Sequence, residues 1–240
     1  MKNRNILVIT PTYNEAGNIE QFISSVLTRN VSLLIVDDNS PDGTGDIIKN
    51  LEKQMDSLFS IHRIEKMGLG SAYKEGFHWA IKNGFKYIVE MDADFSHRLI
   101  DLDKLIENAE KGDLILGSRY TQGGGSIGWD RKRKLLSSSA NLITRLVIGT
   151  QTKDITSGFR IYTTSSLTKV DYENVSSDGY AFQIEMFYLY FITNKKVLEV
   201  PIQFEERRLG KSKMNNKIIF EAIQLLYKLM IRRINKRFFP

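Results

Sequence analysis

At 240 residues, with 42% hydrophobic and 26% charged residues and only four prolines, the chain has the composition of a folded globular protein and is long enough for one large α/β domain. It contains no cysteine, which excludes disulfides and thiolate metal sites, so any bound metal must have oxygen or histidine ligands. The formal net charge of +6 suits an anionic partner, and charge alone does not choose between nucleic acid, an acidic membrane and a phosphorylated small molecule.

The first ten residues are predicted to form a strand and not a targeting segment. Pro11 follows before the apolar run reaches the length of a signal-peptide core, so secretion is not expected. No window reaches the roughly 18 uninterrupted apolar residues that a spanning helix requires, so insertion across a membrane is not expected either.

Short apolar runs alternate with helical patterns through the first half of the chain, which is typical of strands joined by crossover helices. The predicted strands are 5–10, 32–37, 59–63, 86–91 and 113–117. The predicted helices, with apolar residues at three-to-four spacing, are 16–28, 44–55, 70–83 and 99–110. This alternation predicts a single domain with a doubly wound, mostly parallel, Rossmann-like sheet flanked by helices.

The second half is less regular. A basic cluster, RKRK at 131–134, leads into a predicted helix that ends near Ile148. Further strands are predicted at 158–162 and 197–204, with a helix near 180–193 between them. A polar, basic loop at 205–216 then separates this region from a last helix, predicted from about Lys217 to Phe238.

Ligands of doubly wound sheets bind at the carboxyl ends of the strands, so the polar residues directly after each apolar run are the candidates for a site. The sequences at these positions are PTYNE (11–15), DDNSPDGT (37–44) and DADFSH (92–97). Asp92 and Asp94 alternate along an extended segment and so point the same way, close enough to share one divalent cation. Such a cation normally completes its shell with water and phosphate oxygens, which implies a substrate that carries a diphosphate. The alternative is that Asp92 begins a turn and Asp94 caps the next helix.

The other strand-end residues allow two interpretations as well. Asp37 and Asp38 are placed to accept hydrogen bonds from a base or a ribose, whereas SPDGT (40–44) is predicted to be a structural turn. Glu15 is either a ligand-binding residue or an early helix residue favoured by the helix dipole. The glycine-containing segment KMGLGSA (66–72) lacks both the phosphate-loop and the dinucleotide-binding patterns, so turn formation is its simplest role.

Eight motifs occur in one order along the chain and together resemble the dolichol- or polyprenol-phosphate mannosyltransferases of glycosyltransferase family 2, which have the GT-A fold. The resemblance covers nearly everything from Ile6 to Lys213. The motifs are PTYNE, VDDNSPDGT, KMGLGSAYKEGF, MDADFSH, GSRYTQGGG, DITSGFRIY, GYAFQIEM and EERRLGKSK. The resemblance implies a hexosyltransferase that uses a nucleotide-diphosphate sugar, typically GDP-mannose. Such an enzyme transfers the sugar with inversion to a lipid phosphate, with Mg²⁺ or Mn²⁺ as the cofactor.

The resemblance also implies roles for individual residues, motif by motif. The nucleoside pocket would be lined by Pro11, Tyr13, Glu15, Val36 and Asp38; the diphosphate and the metal would be held by Asp92, Ala93 and Asp94; further donor contacts would come from Arg119, Arg207 and Lys213; and the lipid phosphate would lie near Arg131 and Ser137. Asp94, Arg119 and Arg207 would be the catalytic residues. RKRK leaves open which basic residue serves the acceptor, and Ser96 occupies a position where some relatives have a better metal ligand.

The proposed chemistry requires positive charge and no general base. Departure of a nucleotide diphosphate builds up negative charge, which a divalent cation and fixed arginines such as Arg119 and Arg207 would stabilise. An alcohol acceptor would need a general base, whereas a lipid phosphate is already an anion. RKRK and RRLGKSK (207–213) would then serve phosphate binding, although a basic run is as often a solvated surface.

The segment 216–240 is predicted to be a separate amphipathic unit that follows a glycosyltransferase domain at 1–215. Apolar residues lie on one helical face, and Arg232, Arg233, Lys236 and Arg237 cluster near its end. This pattern favours a helix at the surface of an anionic membrane, with packing on the core or on a small membrane subunit as alternatives. The expected location is therefore peripheral, on the cytoplasmic face of a membrane, with no nucleic acid as partner.

Three competing functions make different predictions. Another family-2 enzyme would use a different donor, such as UDP-glucose, or a different acceptor. A non-catalytic basic protein would bind nucleic acid or membrane in a salt-sensitive way without needing Asp92 or Asp94. A nicotinamide-dependent dehydrogenase is disfavoured because the glycine fingerprint is missing.

Overall fold

The computed structural model describes residues 5–206 and 216–238. Its strands are β1 (Ile6–Thr12), β2 (Ser32–Asp37), β3 (Leu58–His62), β4 (Tyr87–Glu90), β5 (Leu114–Ser118), β6 (Gly125–Ile127), β7 (Arg160–Thr163), β8 (Val197–Pro201) and β9 (Gln203–Glu205). Its α-helices are α1 (Ile19–Val26), α2 (Thr44–Glu52), α3 (Leu69–Lys82), α4 (Leu99–Glu107), α5 (Arg131–Ile148), α6 (Thr164–Leu167), α7 (Gly179–Ile192) and α8 (Asn216–Phe238). A short 3₁₀ helix spans Ala109–Lys111.

Seven strands form the central sheet in the order β3-β2-β1-β4-β7-β5-β8. β7 runs antiparallel to β4 and to β5, and the other neighbouring strands are parallel. The expectation of a mostly parallel sheet flanked by helices is therefore confirmed. β1 lies between β2 and β4, so the carboxyl ends of these three strands meet at one edge.

The sheet is buried on both faces because its strands are almost continuously apolar. Alternate residues of β1 divide between two cores: Leu7 and Ile9 face α3 and α7, whereas Ile6 and Val8 face α1 and α4. Gly76 in α3 is needed for this packing, because a Cβ there would lie 2.7 Å from Cγ2 of Ile9. The helix can thus approach β1 closely.

Two departures from the predicted elements have a physical reason. The predicted strand 197–204 is divided at Ile202 into β8 and β9, because Pro201 has no N–H to continue the ladder and the chain crosses to a second sheet. There β9 pairs in parallel with β6, a three-residue strand in the glycine-rich segment that the sequence pattern did not predict.

The last helix is part of the packed structure on one face. Leu225 and Leu229 of α8 are buried in the core shared with α7. The division of the chain at residue 215 stays a prediction. Within 5–206 and 216–238, no helix has the length and apolarity needed to cross a membrane.

Candidate active site

The three polar loops predicted at the carboxyl edge of the sheet lie side by side. β1 leads into PTYNE, β2 into DDNSPDGT and β4 into DADFSH, and the three strands are neighbours in the sheet. The first two loops are joined by a set of hydrogen bonds in which side chains of the second accept backbone N–H groups of the first. Ser40 Oγ accepts from Asn14 at 3.0 Å, Thr44 Oγ1 from Glu15 at 3.0 Å, and Asp42 Oδ2 from Ala16 at 3.0 Å. SPDGT therefore has the structural role expected of it.

Asp37 and Asp38 are both buried but have different partners. Asp37 accepts from Thr12 Oγ1 at 2.9 Å and from the Ser40 hydroxyl at 2.6 Å, so it fixes the turn against β1. Asp38 forms an ion pair with Arg63, with Nη1 and Oδ1 2.9 Å apart, and accepts the N–H of Gly68 at 3.0 Å. The glycine-containing loop after β3 is thus attached through Asp38 to the loop after β2.

Other residues predicted to bind the nucleoside occupy different environments. The Tyr13 ring carries the Lys66 ammonium 3.7 Å from its centroid, which links the first loop to the loop after β3. Glu15 accepts from Asn18 Nδ2 at 3.1 Å, and its carbonyl accepts the N–H groups of Asn18 and Ile19. It therefore lies in the turn before α1 and not in the first turn of the helix, and its role in ligand binding stays a prediction. Pro11 is half-buried in β1, whereas Val36 has no exposed surface and its side chain packs in the core. The Val36 side chain therefore does not face the cleft.

The DADFSH loop is compact and supported by a neutral histidine. Asp94 is buried, and its Oδ1 accepts the N–H of Ser96 at 3.0 Å, while Asp92 is partly exposed and Ala93 is buried. The N–H of Asp92 lies 3.1 Å from Nδ1 of His97, whose ring stacks on Phe159. Burial lowers the pKa of His97 to about 4 against the opposing charge of Asp94, so the imidazole is neutral at physiological pH and its Nδ1 accepts this bond.

The donor set of this loop fits a hard divalent cation. Asp92 and Asp94 supply carboxylate oxygens, and the buried Ser96 hydroxyl has no hydrogen-bond partner among the described residues. Oxygen donors of this kind suit Mg²⁺ or Mn²⁺. In the described part of the chain, no cluster of three or more histidines and carboxylates forms a complete metal cage. A hard cation held by one or two carboxylates normally completes its shell with water and phosphate oxygens.

Arg119 directly follows β5 and is held by a buried carboxylate. Its Nε and Nη2 donate to the two oxygens of Asp154 at 2.8 and 2.7 Å, and Nη2 also donates to Thr156 Oγ1 at 3.0 Å. Burial disfavours the charged form, but the Asp154 carboxylate outweighs it and raises the pKa of Arg119. The guanidinium is therefore a permanent, fixed charge. The other two predicted basic donor residues, Arg207 and Lys213, lie outside the described residues.

The predicted acceptor residues lie at the beginning of α5. Arg131 is the first residue of the helix and is exposed. Ser137 Oγ accepts from Tyr120 Oη at 2.7 Å, which ties the helix to the residue after Arg119. Arg133, one turn before Ser137 and on the same face, lies over the Trp129 ring and is 3.1 Å from Glu206. Arg133 thus shares the Ser137 face more closely than Arg131 does.

Sequence reasoning missed the partners of the predicted residues, namely Arg63, His97, Asp154 and Tyr120. A signal existed for two of them. Arg63 directly follows β3 at the same sheet edge, and His97 ends the DADFSH motif. Asp154 and Tyr120 lie in the DITSGFRIY and GSRYTQGGG motifs, but neither motif indicates which distant segment these side chains meet.

Comparison with known proteins places these observations in a family. The profile described as Glycosyl transferase family 2 matches residues 7–171. The undecaprenyl-phosphate mannosyltransferase of Micrococcus luteus is 39% identical over 220 residues, covering 91% of this chain and 90% of that protein. The polyprenol monophosphomannose synthase of Mycolicibacterium smegmatis is 42% identical over 221 residues, covering 90% of this chain and 83% of that protein.

Solved structures confirm the GT-A fold. Glucosyl-3-phosphoglycerate synthase from Mycobacterium tuberculosis, in complex with Mn²⁺, UDP and glucosyl-3-phosphoglycerate, superposes with a TM-score of 0.67 at 18% identity, covering 96% of this chain and 80% of that one. A mannosyltransferase from Pyrobaculum calidifontis in complex with GDP-Man and Mn²⁺ gives a TM-score of 0.56 at 15% identity, covering 96% of this chain and 64% of that one. At these identities the likeness establishes the fold alone.

Proposed function

This chain belongs to glycosyl transferase family 2 and is a glycosyltransferase, and we propose that it transfers mannose from GDP-mannose to a polyprenyl or dolichyl phosphate with inversion. One observation carries the proposal: the PTYNE, VDD and DAD loops converge at one sheet edge in a chain 39% and 42% identical to proteins named for mannosyl transfer to polyprenyl lipids. The product would be a mannose joined to a lipid phosphate.

In this proposal the donor spans the carboxyl edge of the sheet. The nucleoside lies against Pro11, Tyr13, Glu15 and Asp38, where Lys66 and Arg63 add positive charge. The main chain of β2 at Val36 supplies the predicted contact there, because the side chain is buried. The diphosphate lies at the DAD triplet.

Transfer proceeds as a single displacement. An oxygen of the acceptor phosphate forms a bond to the anomeric carbon from the face opposite the leaving group, and the bond from that carbon to the diphosphate oxygen breaks. The electron pair leaves with GDP, and no proton has to be removed, because the acceptor is an anion. Neither Asp92 nor Asp94 is therefore assigned as a base.

Positive charge at the leaving group is the main catalytic requirement. When bound by Asp92 and Asp94, Mg²⁺ or Mn²⁺ would supply Lewis acidity toward the diphosphate oxygens. Asp94 holds its orientation through the Ser96 N–H, and Asp92 through the bond of its own N–H to His97. Arg119 contributes a guanidinium that is already fixed before the donor binds, while Arg207 and Lys213 are proposed to contact the donor on sequence grounds.

The acceptor phosphate is proposed to lie at the beginning of α5, near Arg131 and Ser137. The hydrogen bond from Tyr120 to Ser137 brings this position next to Arg119, so one phosphate can lie between the helix and the donor. Arg133 lies on the Ser137 face and is a further candidate for this phosphate.

A membrane surface is the proposed source of the acceptor. Five aliphatic side chains of α5 are each more than half exposed: Leu135, Leu136, Leu142, Ile143 and Leu146. The neighbouring helix α8 exposes Phe220, Ile223, Tyr227, Met230 and Ile231. Both helices also carry exposed basic residues, among them Lys132, Lys134 and Arg232. Apolar residues flanked by cations suit an anionic lipid surface, and this combination supports peripheral binding to the cytoplasmic face of a membrane.

The test is transfer of radiolabelled mannose from GDP-mannose to polyprenyl phosphate in mixed micelles with Mn²⁺. Formation of a labelled, mild-acid-labile lipid supports the proposal. Labelling from UDP-glucose but not from GDP-mannose would overturn the donor assignment, and labelling of polyprenol instead of its phosphate would overturn the acceptor assignment.

Asp92→Asn and Asp94→Asn test the mechanism in the same assay. Each should lower transfer by at least about 100-fold, because the asparagine amide is a poor ligand for the cation that stabilises the leaving group. The fold should remain, since the amide oxygen that Asp94→Asn leaves in place can still accept the Ser96 N–H. Circular dichroism checks the fold, and near-normal turnover in either variant contradicts the mechanism.

A further inference from the structure

We propose that the DITSGFR motif, residues 154–160, forms a cradle that positions Arg119, with Asp154 as the positioning residue. The inference rests on the proposed function, in which Arg119 stabilises the departing diphosphate. Sequence comparison identified the motif as part of the family resemblance but gave none of its residues a role. The structure shows that three of its side chains converge on one task.

Asp154 is fully buried and directs both carboxylate oxygens at Arg119. Oδ1 accepts from Nη2 at 2.7 Å, and Oδ2 accepts from Nε and from the backbone N–H of Arg119, each at 2.8 Å. The same carboxylate therefore fixes both the main chain and the side chain of Arg119. Since it has no exposed surface, Asp154 acts through Arg119 and not on a substrate.

The segment that carries Asp154 is itself immobilised from two sides. Glu199 of β8 accepts the N–H groups of Lys153 and Asp154 at 2.9 and 3.0 Å. Asn141 of α5 accepts the N–H of Ile155 at 2.8 Å and donates to Thr156 Oγ1 at 2.9 Å. The Thr156 hydroxyl is thereby oriented for its bond with Arg119 Nη2.

Arg160 holds the other end of the motif. Its fully buried guanidinium donates to the carbonyls of Ser157 and Gln183 at 2.6 and 2.9 Å, and to that of Ile155. These bonds hold residues 155–157 in a loop around the Arg160 guanidinium. The loop places Asp154 and Thr156 on the side that faces Arg119.

The cradle leaves one edge of the Arg119 guanidinium for a ligand. Nε and Nη2 are committed to Asp154 and Thr156, and Nη1 has no hydrogen bond to the described residues. The rings of Tyr120, Trp129 and Phe204 lie 5.4 to 5.6 Å from the guanidinium carbon and limit its other directions. A donor fixed before reaction stabilises developing charge without reorganising, which is the condition for a large catalytic effect.

The test begins with Asp154→Asn, which keeps the shape but turns an amide N–H₂ toward the Arg119 donors. We expect kcat for mannosyl transfer to fall about 100-fold while the donor KM changes less than about threefold. Thr156→Val keeps the side-chain volume but removes the hydrogen bond from Arg119 Nη2, and it should lower kcat about tenfold. This variant provides the test if Asp154→Asn folds poorly. A purely structural role would lower the melting temperature and leave kcat per folded molecule unchanged, which would overturn the proposal.

A double variant isolates the positioning effect. If Asp154 acts only through Arg119, Asp154→Asn combined with Arg119→Lys should be no slower than Arg119→Lys alone. If the fold-losses in kcat of the two single variants multiply in the double variant, the proposed positioning role of Asp154 is wrong. Asp103→Asn is the matched control. The two carboxylate oxygens of Asp103 accept from Nε and Nη2 of Arg29, each at 3.2 Å, in a pair that lies on the surface. The kcat of Asp103→Asn should therefore equal that of the wild type.

A measurement independent of activity separates this inference from the proposed function. If wild-type protein transfers no mannose, the proposed function fails, and the cradle is judged by solvent exchange of the Arg119 Nε–H, followed by nitrogen-15 NMR. The signal, identified by its loss in Arg119→Lys, should exchange slowly in the wild type and quickly in Asp154→Asn. Fast exchange in the wild type would overturn the cradle.

Discussion

At the residue scale, the ion pair of Asp38 and Arg63 is a buried charge interaction that joins the loop after β2 to the end of β3. Both side chains are less than a tenth exposed, and Arg63 also donates to Ser71 Oγ at 2.8 Å. Asp38 in turn holds the Gly68 N–H, and Gly68 has a positive φ of 94° that a residue with a side chain rarely adopts. Loss of the pair would therefore loosen the loop after β3 as well as leave a charge buried.

We predict that Arg63→Met lowers the free energy of unfolding by about 3–5 kcal/mol, because it leaves the buried Asp38 carboxylate without its counter-charge. Urea unfolding followed by circular dichroism measures the change. Arg29→Met is the matched control: it breaks the pair with Asp103, in which both side chains are about a third or more exposed, and should cost at most about 1 kcal/mol.

The double variant Asp38→Asn/Arg63→Met removes both charges and should be more stable than Arg63→Met alone, since no unpaired carboxylate remains. Equal losses for Arg63→Met and Arg29→Met would show that burial of the charge is not the source of the effect. A double variant as unstable as the single one would point to lost packing of the Arg63 side chain instead.

Strand-end residues could be found from the sequence, whereas the pairing of these residues with distant partners could not. Asp38, Asp92 and Arg119 follow apolar runs, and the geometry of a parallel sheet puts such positions at one edge. The pairing of Arg119 with Asp154 depends on β7 and the loop before it reaching the end of β5, and no local pattern specifies that approach. Val36 stays a predicted contact of the nucleoside, but only its main chain can make that contact, because the alternation of β2 directs the side chain into the core.

At the element scale, α5 is a helix with an exposed apolar stripe. Leu135, Leu142 and Leu146 recur at spacings of seven and four on this stripe, and each is more than half exposed. Asn141 and Thr144 lie on the opposite, buried side. A soluble helix normally directs its apolar stripe inward, so this orientation favours contact of α5 with an apolar surface such as the proposed membrane.

We predict that the triple variant Leu135→Ser/Leu142→Ser/Leu146→Ser binds anionic lipid vesicles about 100-fold more weakly than the wild type. Each leucine should contribute about 1 kcal/mol on entering the interface, which follows from the apolar area that it can bury. Cosedimentation with vesicles of phosphatidylglycerol and phosphatidylcholine measures binding. The melting temperature should change little, because the three side chains are mostly exposed and add little to the internal packing.

The control for this experiment removes three exposed isoleucines elsewhere: Ile64, Ile100 and Ile192. Their replacement by serine should leave vesicle binding within about twofold of the wild type. Equal loss in both triple variants would show non-specific adsorption. Unchanged binding of the leucine variant together with a shift from dimer to monomer in light scattering would show that the stripe covers a second copy of the chain.

The sequence predicted most elements because their periodicities are strong, and it failed where pairing is decided by tertiary contacts. The strands β1 to β5 and the helices α3, α5 and α7 agree with the predicted ranges to within about two residues. The three-residue β6 has no pattern of its own and exists because it meets β9. The antiparallel direction of β7 likewise follows from its path between β4 and β5, which the apolar run at 158–162 does not encode.

At the scale of the whole molecule, the order of strands in the sheet brings motifs that are far apart in sequence together at one edge. β1 is central to this edge, with the loop after β2 on one side and the loop after β4 on the other, so residues 11–15 lie between the two. The nucleoside and diphosphate ends of the proposed donor therefore lie on different strands of one rigid sheet. Ligand binding should then stabilise the molecule as a unit, and most strongly when both ends of the donor site are engaged.

This coupling predicts that GDP and Mn²⁺ raise the melting temperature together by more than the sum of their separate effects. If the carboxylate pair holds the cation as proposed, it supplies only part of the coordination shell, and diphosphate oxygens would complete it, so each ligand should increase the affinity for the other. At 100 times the dissociation constant the gain is about 2.7 kcal/mol, or roughly 5–10 °C for a chain of this length. Differential scanning fluorimetry with and without each ligand measures the effect.

The carboxylate variants decide whether the synergy arises at the proposed site. In Asp92→Asn and Asp94→Asn the joint effect should fall to the sum of the separate ones, because the cation no longer links the diphosphate to the sheet, while GDP alone still contacts the loops after β1 and β2. A joint shift that survives both substitutions would locate the metal elsewhere. A larger joint shift with UDP than with GDP would reassign the nucleotide while leaving the metal site intact, because the diphosphate is common to both and only the base differs.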